Sequence, residues 1–171
     1  MSKVAKYGVP VLLVLSAILL GVLVPGGPIE TRDFSHIDPL VLGAFNTFLT
    51  VLGIASLLVA YFAYKERRMA FIVSALCGLG YLLVYVPDLF EIFPVSPDPM
   101  PPALWAIEVA GMVLSLPLTA LAAWAAFGAT DESEERGGHA FKRVAVWLGV
   151  PVALLALAII VFATHAAMQG G

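Results

Sequence analysis

Residues 103–127 read ALWAIEVAGMVLSLPLTALAAWAAF, and this stretch decides the fold class. It holds twenty-five residues with one ionisable side chain, Glu108. A bilayer core about 30 Å thick needs about 20 apolar residues of helix. In lipid, the backbone of so long a run must satisfy its own hydrogen bonds, and a helix does so.

Four further runs have the same character: Tyr7–Val24, Leu40–Tyr64, Met69–Val86 and Val144–Thr164. None of the four contains Lys, Arg, Asp or Glu. The sequence therefore predicts an all-α fold: a polytopic integral membrane protein, a five-helix transmembrane bundle forming one domain over residues 1–171. It predicts outer loops at Pro25–Pro39 and Pro87–Pro102. Asp38-Pro39 and Pro102 are helix starts. Pro10 and Pro151 are read as lying in the first turns of their helices, and Pro117 lies inside the fourth span, where it removes a backbone bond. The basic start of the first run resembles a signal peptide, but its apolar stretch is long and no A-x-A site follows, so a retained helix is expected.

Composition over the whole chain agrees. Of 171 residues, 61% are hydrophobic and 12% charged, and the net charge is -3. Mean hydropathy is +0.97. Soluble domains carry about twice that charge, which excludes a soluble enzyme, a disordered regulator and a secreted disulfide scaffold. A nucleic-acid partner is excluded by the lack of a basic surface. The single cysteine, Cys77, rules out an intramolecular disulfide and a CxxC redox pair, and reads as packing.

The few charges fix an orientation. Lys3, Lys6, Lys65, Arg67, Arg68, Arg136, Lys142 and Arg143 fall on one side of the five spans, and only Arg32 falls on the other. Basic residues mark the cytoplasmic side, so the N-terminus is expected inside and the C-terminus outside, in a bacterial or archaeal cytoplasmic membrane. Tyr7, Tyr61, Tyr64, Trp124 and Trp147 then fall at the inner interface and Trp105 at the outer one. The outer loops hold Glu30, Asp33, Asp38, Asp88, Glu91 and Asp98 beside Arg32. They are read as a solvated acidic cap. The inner run Asp131-Glu132-Ser133-Glu134-Glu135 is read as a solvated loop. Five prolines between Phe93 and Pro102 predict a stiff segment, either a plain strap or a lid, with Phe34 and Ile37 beneath it.

Glu108 is the candidate functional residue, because an ionisable side chain within a span is a functional-site hypothesis by default. It lies roughly 8 Å below the outer boundary at 1.5 Å per residue. Asn46 and Thr50 share one face of the second span, and Tyr81 and Tyr85 one face of the third. All four fall at similar depth. His36 and His165 are expected at the mouth. Together these residues are expected to line a pocket open to the outside. The competing reading makes the same polar groups interhelical hydrogen-bond glue, with Glu108 protonated and bonded to one of them. No HExxH motif, phosphate-binding glycine loop or nucleophile elbow is present, so no metal, cofactor or catalytic residue is assigned.

Three functions compete. The leading one is binding, and carriage, of a small apolar or amphipathic ligand or a lipid. The second is a non-catalytic accessory subunit of a larger membrane complex, with a membrane-protein partner or a second copy of the chain. The third is an intramembrane enzyme using Glu108 with His36 or His165. The bilayer itself is a partner in all three.

Overall fold

The computed structural model describes residues 2–128 and 138–169, with residues 138–150 by their backbone alone. It contains α1 (Lys3–Val22), α2 (Pro39–Tyr64), α3 (Arg68–Leu89), α4 (Pro102–Gly128) and α5 (Gly138–Gln169), and no strand among the described residues. All five helices are long and apolar enough to cross a membrane. The acidic run from Asp131 to Glu135, with Arg136, lies outside the described residues. So do the side chains of His139, Lys142, Arg143 and Trp147.

Local chemistry sets the helix ends. The Ser2 hydroxyl accepts from the Ala5 amide at 3.2 Å and caps α1. Asp38 caps α2, accepting from the Leu40 amide at 2.8 Å with Pro39 at the first helical position. Both follow the usual preference for a short acceptor before the first turn. α2 and α3 end alike. In α2, the Glu66 amide donates to Ala63 O and the Arg67 amide to Phe62 O; in α3, Glu91 donates to Asp88 O and Ile92 to Pro87 O. These are paired Schellman bonds, which need a left-handed residue after the cap. Glu66 (φ 61°) and Glu91 (φ 51°) supply it, where glycine would be easier.

Two sequence expectations about the ends are corrected. α1 begins at Lys3 and α5 at Gly138, so Pro10 and Pro151 lie inside their helices and not in the first turns. α3 does not stop before Pro87 but runs through it to Leu89. This puts Asp88, expected in the outer loop, on the helix three residues beyond Tyr85.

α3 is the central helix, the most buried of the five over the described residues, and α5 is the least buried. It packs against α4 and α2, α1 packs against α2 and α4, and α5 rests mainly on α2. Small residues permit the close crossings. A Cβ at Gly78 would overlap the Thr119 hydroxyl, and one at Gly111 would overlap the Tyr85 ring. Leu13, Phe71, Tyr81, Tyr85 and Leu118 fill the interior between these helices.

The loops between α1 and α2 and between α3 and α4 form a tied cap. The Asp33 amide donates to Asp98 at 2.9 Å, and the Ser96 hydroxyl donates to Asp33 O at 2.9 Å. Phe34 is buried against Leu42 of α2 and Ala167 of α5, and its amide donates to Ala167 O at 3.1 Å. The ring that meets Phe93 of the proline-rich segment is Phe45 of α2, edge-on at 5.1 Å. Phe34 thus braces the first loop on α2 and α5, while Pro94 reaches the cavity below.

Candidate functional site

Beneath this cap lies a cluster of charges that the bundle removes from solvent. The side chain of Arg32 is 4% exposed, with Glu30 at 6% and Asp88 at 10%. Arg32 forks two ways. Its Nε and one terminal nitrogen donate to Glu30 Oε1 and Oε2 at 3.0 and 2.7 Å. Its two terminal nitrogens donate to Asp88 Oδ1 and Oδ2, both at 2.9 Å. The Phe34 ring lies 5.2 Å from the guanidinium carbon. The planar fork of arginine suits such bidentate pairs, which lysine cannot reproduce. Burial alone works against the charge on Arg32, but the bonds to Glu30 and Asp88 outweigh it and push the guanidinium above its ordinary value.

Glu108 completes the cluster from α4. It is 2% exposed, and its carboxyl lies beside that of Asp88, in hydrogen-bonding range. Its Oε2 is buried and meets no donor among the described residues. A carboxylate oxygen so placed is an exception among buried polar atoms, which nearly always find a partner. One turn deeper, the Tyr85 hydroxyl is also buried without a partner, over Gly111.

Glu108, Asp88, Glu30 and Asn46 line a chamber of about 40 Å³, with Phe34 and Pro94 among its apolar walls. A second cavity of about 220 Å³ lies between α1, α2 and α5. Its walls are apolar apart from Asn46 and Thr50, with Gly21, Leu57, Leu155 and Ile159 among them. Leu20, Leu23, Pro25, Asn46 and Leu49 line both, so the polar chamber and the apolar groove adjoin.

The residues singled out in the sequence divide into three groups. Glu108 and Asn46 share the chamber, and Asn46 and Thr50 line the groove. The Asn46 amide nitrogen donates to the Thr164 hydroxyl of α5 at 3.1 Å, and Thr50 bonds back to Asn46 O at 2.7 Å. Tyr81 and Tyr85 are fully buried and stacked, with centroids 6.2 Å apart, and the Tyr81 hydroxyl donates to Ser56 at 2.9 Å. Neither tyrosine lines these two cavities. His36 and His165 are exposed, and His165 lies 3.3 Å from Gln169 one turn along α5. Both were expected at the mouth, and neither lines either cavity. Their positions in the first loop and near the end of the fifth span suggested the mouth, but both side chains are exposed, in the loop and on the outer face of α5.

Three members of the cluster were missed. Glu30, Arg32 and Asp88 were read as solvated cap. The available signal was Arg32 itself, the only base among six outer acids. A lone base in acidic surroundings is the one most strongly held by them.

These features define a class: an all-helical protein with five candidate membrane-spanning helices and a buried cluster of one arginine and three carboxyl groups under a two-loop cap. The chain belongs to the family described as Domain of unknown function (DUF8051), whose model matches residues 5–138. No curated protein and no solved structure matches it. Glu30, Arg32, Asp88 and Glu108 all fall within the matched stretch, and most of α5 lies beyond it.

Proposed function

We propose that this protein is a multi-pass membrane protein that binds an apolar or amphipathic small molecule or lipid in a pocket in its outer half, around Glu108. The N-terminus is cytoplasmic and the C-terminus outside, by the excess of Lys and Arg on the side of the α2–α3 and α4–α5 turns. Arg32, the sole base opposite, is spent inside the buried cluster. The observation that carries the reading is the buried, unpartnered Glu108 oxygen in a polar chamber that adjoins an apolar groove. Ligand sites are mostly apolar cavities with a few convergent polar groups. The groove exceeds the roughly 150 Å³ cavity that holds benzene in another protein.

Native mass spectrometry from mild detergent tests it. The expected spectrum shows one retained small molecule or lipid per chain, diminished in Glu108→Gln. A chain that retains nothing, or that appears only with another protein bound, would sink the reading and turn attention to an accessory role.

A further inference from the structure

We infer that the chamber at Glu108 accepts a single positively charged nitrogen: the ammonium head of an amphiphile whose apolar tail lies in the groove between α1, α2 and α5. This rests on the pocket reading above and specifies its ligand.

The cluster holds three carboxyl groups and one guanidinium. Arg32 uses its side-chain nitrogens on both oxygens of Glu30 and both oxygens of Asp88. Those four oxygens each already accept from a cation. Glu108 Oε2 is left as an acceptor in a chamber where every other ionisable group is either acidic or already paired. The contact between the Glu108 and Asp88 carboxyls takes one carboxyl proton and leaves Oε2 free to accept, and a free acceptor among acids favours a donor with positive charge, since ionised hydrogen bonds are the stronger ones.

Size and ligand number narrow the choice. A divalent metal needs several oxygens at once, and no group of three or more His, Cys, Asp or Glu side chains placed to hold one is present among the described residues. A chamber of about 40 Å³ suits an ammonium, whereas a phosphate beside three carboxyl groups meets like charge and little room. The occupant is thus a free amine, not a phospholipid headgroup. The tail follows from continuity. Leu20, Leu23, Pro25 and Leu49 line both spaces, so an alkyl chain leaving the chamber passes directly onto the groove walls. Gly21 lies on that path, with open space where a side chain would project.

The test titrates octylammonium, octanol and octanoate into wild type, Glu108→Gln and Gly21→Leu, counting one-to-one adducts by native mass spectrometry. Wild type should take octylammonium at least tenfold more tightly than octanol, and octanoate least. Glu108→Gln should lower octylammonium to the octanol level and leave octanol unchanged, which also reports that the variant is folded. Gly21→Leu should weaken all three. If that variant weakens binding but octylammonium and octanol bind wild type equally, the ammonium inference is overturned and the pocket remains. If no adduct responds to Gly21→Leu, the pocket itself is overturned. If Glu108→Gln does not fold, the comparison of the three probes on wild type decides. A parallel titration in phosphatidylcholine and phosphatidylethanolamine nanodiscs separates the sources. Equal octylammonium binding in both supports the free amine. Binding abolished only by phosphatidylethanolamine would assign the site to a lipid amine and overturn the inferred source.

Discussion

Arg32→Met is the most informative change to the cap. It removes four side-chain hydrogen bonds and the only positive charge in the cluster. Glu30 and Asp88 are then left buried without a counter-charge. Removing one partner of a buried pair costs about 3–5 kcal/mol, because the other charge stays desolvated. For a domain of this size, 1 kcal/mol shifts Tm by roughly 2–4 °C, so Arg32→Met should lower Tm by about 6–20 °C. Thermal unfolding in detergent, followed by tryptophan fluorescence, measures this. Arg32→Lys should fall between wild type and Arg32→Met, since one ammonium cannot serve two carboxylates bidentately. Asp88→Asn should cost less than Arg32→Met, since the Glu30 arm survives.

The Lys6–Glu66 pair is the internal control. Its separation, 2.7 Å, equals that of Arg32 to Glu30, but its side chains are 34% and 41% exposed. Exposed pairs are worth about 0–1 kcal/mol, so Glu66→Gln should barely move Tm. If Arg32→Met shifted Tm by less than about 4 °C, no more than the loss of an exposed pair would by the same scale, burial would not be what gives the cap pair its strength, and the reasoning would be refuted.

Three smaller expectations follow from the packing. Gly111→Ala would put a methyl 2.5 Å from Tyr85 Cζ, so the ring must move; overpacking of this kind costs about 1–3 kcal/mol, readable as a lowered Tm. Tyr81→Phe removes the bond to Ser56 and should cost about 0.6 kcal/mol, the mean for interhelical bonds in a membrane protein, read by the same unfolding assay. The Asp33 carboxylate accepts from the Ser35 amide at 2.8 Å and the Ser35 hydroxyl at 3.0 Å, which hold it below the usual aspartate value. A lowered value in the folded chain means stability present above the ordinary aspartate value of about 3.9 and lost as pH falls through the lower one. Protection of the Ser35 amide against hydrogen exchange should therefore persist at about pH 4 and fade below it, and Asp33→Asn should remove that dependence.

The five helices were legible because bilayer thickness imposes a minimum length on apolar runs, and each of the five runs is a helix long and apolar enough to span. Depth was legible too, since 1.5 Å per residue converts position into distance from a boundary. Direction around each helix was not. His165 and Thr164 are adjacent in sequence and differ by only about 1.5 Å in depth, yet Thr164 meets Asn46 while His165 is exposed. With apolar residues on every side, these helices carry little periodic signal for which face turns inward. Proline misled at Pro87. The rule that proline ends a helix concerns its missing donor and its clash with the preceding turn, but α3 tolerates both and ends with two Schellman bonds beyond it. That extension turns Asp88 from a loop acid into the partner of Arg32.

The cap and the groove draw on different parts of the chain. Glu30, Arg32, Asp88 and Glu108 come from the first loop, α3 and α4, so the polar chamber is built within the stretch that matches the family. The groove adds a wall from α5: Leu155, Ile159 and Ala163. α5 is held there mainly by α2, by Asn46 bonding to Thr164, and by the first loop, through Phe34 to Ala167 O and Gly26 against Ala166. Arg32 lies only two residues from Phe34, so the ion pair that fixes the loop to α3 also positions the loop against α5. Loosening Arg32 should therefore open the groove from its far side. Arg32→Met should weaken octanol binding as well as lower Tm, whereas Asp33→Asn, in the solvated part of the loop, should leave octanol binding unchanged. Equal octanol affinity in wild type and a folded Arg32→Met would show that the cap does not brace the groove wall.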